Sequence, residues 1–299
     1  MKPTLLILAA GMASRYGSMK QIDGFGPNGE TIIDYSIYDA IKAGFGKVVF
    51  IIKEEFVDNF KSIYEPKLNG RIETDYVFQN FDLKQFGIEE EIYREKPWGT
   101  AHAILSGRKV VKEPFCVINA DDFYGYDSFR KMVEFLTEEA TDSNYSIVGY
   151  KIGKTLSDFG SVSRGVCKTD EAGFLEEITE RTQVFKKDDV IVYEENGEEY
   201  PLDFETPVSM NFWGFTPAVF KLTEEMFREF AMENKDKPKA EFFIPYIGET
   251  LVNDGTATFK VIPTDSQWFG VTYKEDKPFV QASIGQLVKD GAYPETLWD

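Results

Sequence analysis

Long apolar runs separated by helical periodicity fill the first half of the chain. Thr4–Ala10 is almost wholly apolar and predicts a strand buried on both faces, and Lys47–Ile52 and Pro114–Asn119 repeat that pattern. Between the first two, Ile33, Ile37 and Ile41 recur at i, i+4 and i+8 within Ile32–Ala43, and Gly44 and Gly46 follow. That spacing predicts a helix with a glycine stop. Glu54–Tyr64, Thr100–Val110 and a stretch near Ser128–Glu139 also predict helices. The resulting β-α-β-α order predicts an α/β fold, with a mostly parallel central sheet and helices on both faces.

The second half is more mixed. Ser146–Ile152, Gly160–Cys167 and Leu175–Thr179 predict strands. Residues 182–205 are acidic and weakly patterned, with turn signals at Asp188–Asp189 and Asn196–Gly197, and predict an inserted β-arm or loop excursion. Thr216–Pro217 predicts a helix start, Glu241–Leu251 and Pro278–Val288 predict further helices, and Gly291 ends the last. There is no repeat, low-complexity tract or flexible linker. The expected organisation is a single domain over 1–299 with two lobes, 1–150 and a β-rich 151–299.

Composition narrows the partners. With 299 residues, 42% of them hydrophobic, the chain can bury a large core. A net charge of -18 repels nucleic acid and anionic membrane, so neither is an expected partner. Residues 1–53 reverse the balance: Lys2, Arg15, Lys20, Lys42, Lys47 and Lys53 face only Asp23, Glu30, Asp34 and Asp39. A local basic site in an acidic chain suits a small anionic ligand. Cys116 and Cys167 lie in apolar, strand-like runs without metal-type spacing and read as reduced core residues, which favours the cytoplasm. The opening run Leu5–Ala10 is short for a secretory leader and Pro3 interrupts its start, so it reads as a strand.

The sharpest chemical signal is Leu8-Ala9-Ala10-Gly11-Met12-Ala13-Ser14-Arg15-Tyr16-Gly17-Ser18-Met19-Lys20. A buried strand runs into a glycine-bearing loop holding two cations. Strand ends of parallel sheets face the ligand crevice, and backbone N–H groups there can wrap phosphate. No Gly-Lys-Ser/Thr follows, so it is not a P-loop, and the dinucleotide pattern of spaced glycines is absent. The same spacing also suits an ordinary strand turn with two solvated cations.

This segment resembles the sugar-nucleotidyltransferases, the NDP-sugar pyrophosphorylases, whose signature is a strand, L-A-A-G-x-G-[ST]-R, and a Lys soon after. Leu8–Gly11, Ser14, Arg15 and Lys20 match, and Ala13 replaces the second glycine. The resemblance implies that backbone at Ala10, Gly11, Met12, Ala13 and Ser14 binds the nucleotide, with Arg15 and Lys20 catalytic on the triphosphate. Trp98-Gly99-Thr100-Ala101-His102-Ala103 is similar to the family's G-T-G-H-A turn, which places Gly99 and Thr100 beside the base, Thr100 capping the next helix. Arg94 occupies the position of a base-reading Gln. His102, the single histidine, reads as structural, since the family chemistry needs no base there.

The resemblance continues through Val117-Ile118-Asn119-Ala120-Asp121-Asp122-Phe123, where the family's Asp binds Mg²⁺. It implies that Asp121 is the catalytic metal ligand, with Asp122 the alternative ligand or a helix cap. Gly160, in a stretch similar to Y-G-V-V, would contact the sugar. Glu180 and Arg181 match I-x-E-K, Glu180 for sugar hydroxyls and Arg181 for the acceptor phosphate. Asn211 would bind acceptor or serve as a second metal ligand, or be only structural. Trp268-Phe269-Gly270-Val271-Thr272 lacks the family Asp at its site and transfers no chemistry. The implied activity is transfer of NMP from an NTP to a sugar phosphate or similar small phosphorylated acceptor, with release of pyrophosphate. The alternatives are a GT-A glycosyltransferase using an NDP-sugar, or a catalytically inactive regulatory homologue.

Overall fold

The computed structural model describes residues 1–11, 24–271, 273 and 275–298. The first half of the chain is built on four parallel strands: β1 (Thr4–Leu8), β2 (Lys47–Ile52), β3 (Glu73–Phe78) and β4 (Phe115–Asn119), in the spatial order β4-β1-β2-β3. Leu8 pairs with Ile51 on one side and Asn119 on the other, so the strands end level at one edge of the sheet. Apolar runs without alternation make sense here, because both faces are covered. Leu6, Val49, Ile51 and Val117 enter one core cluster, whereas Leu5, Ile7, Val48, Phe50 and Ile118 enter the other. Each fully buried large side chain of this kind contributes roughly 1.5–3 kcal/mol.

Helices α1 (Ile32–Ala43) and α2 (Val57–Leu68) pack on the second cluster. A reciprocal cap starts α1: Asp34 N–H donates to Thr31 Oγ1 and Thr31 N–H to Asp34 Oδ2. Gly44, at φ 111°, ends it as the spacing predicts. The Thr100–Val110 expectation is corrected in part. Helix α3 (Thr100–Ile104) tightens into a 3₁₀ stretch over Leu105–Lys109 before reaching β4. Strand β5 (Asp122–Phe123) and helix α4 (Tyr126–Glu138) follow β4.

The rest of the chain extends the same sheet. Its strands are β6 (Asn144–Lys151), β7 (Val162–Thr169), β8 (Leu175–Lys187), β9 (Val190–Glu195), β10 (Glu198–Leu202), β11 (Pro207–Phe215) and β12 (Thr258–Thr264). Residues 182–205 form the β-arm: β8, β9 and β10 make successive antiparallel pairs. Its turns fall at Asp188–Asp189 and Asn196–Gly197, with φ of 48°, 68°, 55° and 81°. These positive values explain the Asp/Asn/Gly choice.

Strand β11 is forked. Val208 and Ser209 pair with β7, whereas Trp213–Phe215 pair with β4, and β6 runs along the other side of both parts. The register breaks between Ser209 and Trp213, and Asn211 sits in that break at φ 59°. Helices α5 (Ala218–Glu233) and α6 (Ile244–Asn253) cover the first cluster. A short strand β13 (Phe269–Gly270) pairs with β5, and α7 (Asp276–Lys289) packs near α1. Strands β3 and β12, which the sequence reading passed over, lie towards the two sides of the parallel region.

Candidate active site

β1 and β4 stop together at one edge of the sheet, where the strand order places the expected crevice. Ala9 N–H donates to Ile51 carbonyl and Ala120 N–H to Leu8 carbonyl, which holds the exits of both strands side by side. Ala10 and Gly11 leave one exit and Asp121 the other. A side chain at Gly11 would meet nothing within 4 Å, so this backbone borders open space. Met12, Ala13, Ser14, Arg15 and Lys20 lie outside the described residues.

The two aspartates have different surroundings. Asp121 is half-buried, whereas Asp122 is buried within β5. Asp122 Oδ2 accepts from Asn119 Nδ2 at 2.8 Å and Tyr124 Oη at 3.3 Å. Burial, and then the charge of Asp121, push the Asp122 carboxyl up to about 7, against Asn119, Arg164 and Tyr124, which hold it down. Asp122 does not cap α4, whose cap position is Gly125 without a side-chain bond. Tyr124 ties the region together, because its hydroxyl accepts from Asn119 N–H at 3.0 Å and its one proton lies between Asp122 Oδ2 and the nearer Met210 carbonyl at 3.0 Å. Asn211, next to Met210, is thereby held at the same edge as Asp121. Among the described residues no three His, Cys, Asp or Glu side chains converge as a metal cluster.

The Gly99 turn leads into α3, which packs against β1. Gly99 adopts φ 101°, and a Cβ there would lie 2.5 Å from Phe242 carbonyl oxygen. The close approach is therefore to the chain's own 242 backbone, and only glycine allows it. Thr100 does not cap α3. It is the first helical residue, and its Oγ1 accepts from Ile244 N–H at 3.1 Å, capping α6 instead. Arg94 is also turned differently from the expectation of a base reader. Its guanidinium lies 3.8 Å from the Trp98 ring centre and donates to the carbonyls of Lys237 and Ala240. Its donors staple the 237–240 loop.

His102 is buried among Phe81, Phe86 and Phe227, with Gln79 Nε2 at 3.3 Å from Nδ1. Burial, with Arg108 and Arg94 nearby, lowers its pKa to about 3. It is a neutral packing residue, as the sequence reading has it.

The remaining candidates lie farther along the same sheet. Ser209 of β11 pairs with Gly165 of β7, which pairs with Glu180 of β8. At a strand spacing of about 4.8 Å, Glu180 lies four strands from β1, or roughly 19 Å across the sheet. Glu180 is exposed. Arg181 pairs with Glu195 Oε1 at 2.7 Å, its guanidinium 4.3 Å from the Tyr193 ring centre. Gly160 is pressed against Tyr273, where a Cβ would lie 2.6 Å from the phenol oxygen, and that hydroxyl donates to Ser161 carbonyl at 2.7 Å.

Sequence reading missed Arg164. It is 5% exposed, donates from Nε to Thr155 Oγ1 at 3.0 Å, and stacks 4.8 Å from Trp268. Desolvation lowers its pKa to about 10, while Asp122, Glu180 and Asp276 raise it. It is a fixed positive charge between the strand-end carboxylates and the arm. The available signal was an arginine two residues from Val162, on the inward side of an alternating strand.

A family model described as Nucleotidyl transferase matches residues 6–272. Among curated proteins none matches. Solved structures share the fold. The inositol-1-phosphate CTP transferase of T. maritima aligns with a TM-score of 0.62 and 14% identity, over 95% of this chain and 96% of that one. A UDP-glucose pyrophosphorylase complexed with UDP-glucose gives 0.56 and 17%, over 95% and 98%. HddC from Yersinia pseudotuberculosis gives 0.53 and 14%, over 94% and 99%. At these identities the structures establish shared architecture, and the family model, spanning the strand ends, the forked strand and the arm, establishes membership: the chain belongs to the nucleotidyl transferase family.

Proposed function

We propose that this enzyme transfers the nucleoside monophosphate of an NTP to a sugar phosphate or similar small phosphorylated acceptor and releases pyrophosphate. The observation that carries the reading is the edge at which β1 and β4 end together, with half-buried Asp121 following the one exit and Ala10–Gly11 the other. The related structures support the acceptor class, because one is an inositol-1-phosphate CTP transferase and another holds UDP-glucose.

In this reading the acceptor phosphate attacks the α-phosphorus in line and pyrophosphate leaves. The protein supplies position and charge. Backbone from Ala10 to Ser14, with Arg15 and Lys20, cradles the triphosphate. Gly99 and Thr100 border the base. Arg181 takes the acceptor phosphate, Glu180 its hydroxyls, and Gly160 lies beside the sugar. Arg164 holds a fixed positive charge between Asp122 and Glu180. A Mg²⁺ ion fits the donor set: one accessible carboxylate, Asp121, with Asn211 as second ligand and phosphate oxygens completing the sphere. When bound, it would neutralise developing charge on the phosphates. Two free, buried thiols, Cys116 and Cys167, fit a reducing cytoplasmic setting.

The test is a pyrophosphate-release screen of five NTPs, dTTP included, against sugar phosphates and alditol or choline phosphates. Mg²⁺-dependent release with one pair supports the reading. NDP-sugar consumption without pyrophosphate release would replace it with a glycosyltransferase, and no turnover of either kind with a regulatory homologue.

A further inference from the structure

At the opposite edge of the sheet from the crevice lies a cavity of about 460 Å³. Its walls are the 3₁₀ stretch after α3, the entry to β4 and the first turns of α5, which carry Arg108, Lys112, Lys221, Glu224, Glu225 and Arg228. Four cations thus face two carboxylates in a chain whose net charge is -18. Glu224 is already shared: Arg108 Nε lies 3.6 Å from one oxygen, and Arg228 pairs with the other. Lys112 and Lys221 are both exposed and make no ion pair among the described residues. Lys112 Nζ donates to Arg108 carbonyl at 3.2 Å, and Glu225, exposed and also outside any ion pair among the described residues, shares the lining, so the concave site, lined by Phe220 as well, keeps a net positive charge carried by the two lysines.

We infer that this cavity is a second anion site, binding a phosphate-bearing small molecule outside the crevice. The lysines supply point charges for phosphate oxygens, and Arg108, fixed by Gln85 and Leu105 carbonyl, supplies a rigid one. The carboxylates of Glu224 and Glu225 can accept from hydroxyls, which favours a phosphorylated polyol or sugar over a bare anion. The ligand chemistry could come from a sugar phosphate or from pyrophosphate itself, and the cavity volume admits either.

Calorimetric titration of the whole protein with glucose 1-phosphate, inorganic pyrophosphate and inorganic phosphate distinguishes these sources. The wild type should take two equivalents of at least one probe. Lys112→Glu/Lys221→Glu should lose the second equivalent, or weaken it tenfold or more, with nucleotidyl transfer in the absence of added probe unchanged. Lys221→Ala alone should weaken it by a smaller factor, which guards against a folding effect of the double charge reversal. A second equivalent with glucose 1-phosphate only identifies a hydroxyl-bearing ligand, and one with pyrophosphate identifies the reaction product. Single-equivalent binding of every probe by the wild type, or unchanged two-equivalent binding in both variants, overturns the site.

Discussion

Asp121 and Asp122 are adjacent in sequence yet have separate fates. The accessible one can reach a ligand, whereas the buried one already accepts from Asn119 and Tyr124. Asp121→Asn should therefore lower kcat roughly a hundredfold or more with the fold intact. Asp122→Asn keeps both acceptor contacts and removes a buried charge, so it should cost far less turnover. Steady-state rates and circular dichroism on both variants check this, and the reverse ranking would move the metal ligand to Asp122. Gly99 is a second decisive residue. Gly99→Ala places a Cβ against Phe242 carbonyl at a φ that L-residues disfavour, so it should cost about 1–3 kcal/mol. A lowered Tm with a raised KM for NTP is the expected pair of results. His102 gives a pH signature. Its folded pKa lies below its unfolded one, so only the unfolded state takes a proton as pH falls from about 6.5 to 3. It therefore removes stability on acidification, by up to about 1.4 kcal/mol per pH unit. Raised carboxyls such as Asp39, pushed up by burial to about 7, act in the opposite sense over pH 3.8 to 7. The stability difference between wild type and His102→Phe should isolate the histidine and shrink towards lower pH. A difference independent of pH would show that His102 titrates normally.

Among elements, the arm connects acceptor chemistry to the sheet. Arg181 is presented by β8 but oriented by Glu195 and Tyr193 of β9. Arg181→Ala should raise the acceptor KM by roughly tenfold or more, taking ~1.5–3 kcal/mol for a charged hydrogen bond, with NTP affinity nearly constant. Glu195→Ala should reproduce part of that effect without touching substrate, as initial-rate kinetics would show. Weakened NTP binding in Arg181→Ala would put that residue on the nucleotide side. The strands β1, β2 and β4 were legible because sheets covered on both faces leave unbroken apolar runs. The arm was legible through Asp-Asp and Asn-Gly, the residues that tolerate the observed positive φ. Strand β3, Glu-Thr-Asp-Tyr-Val-Phe, was missed because it is partly exposed at the sheet's side and carries charges among its apolar positions. The roles of Thr100 and Arg94 were illegible for another reason. Each serves a segment some 140 residues away, and no local spacing encodes such a partner.

At the scale of the whole molecule, a net charge of -18 should repel a triphosphate beyond the reach of the cations proposed to bind it, Arg15 and Lys20. Raising salt from about 0.01 to 0.15 M shortens screening from roughly 30 to 8 Å. The kcat/KM for NTP should therefore rise modestly over that range, opposite to a steered enzyme; a steep fall would show that local cations dominate. The forked strand β11 sets a different property of the whole. One nine-residue segment is hydrogen-bonded to β4 by its end and to β7 by its beginning. It also arrives late, after β4 and β6 have already been synthesised, so β4 waits for it and β6 waits for both it and β12. A nascent chain or truncated fragment ending near residue 150 would display β4 and β6 as bare edges, their amide and carbonyl groups open to any other strand. Such a fragment should precipitate or self-pair instead of folding as a miniature nucleotide binder. Adding back a synthetic peptide of residues 207–215 should suppress that precipitation, whereas the same peptide with Trp213 replaced by Pro, which cannot donate to the ladder, should not.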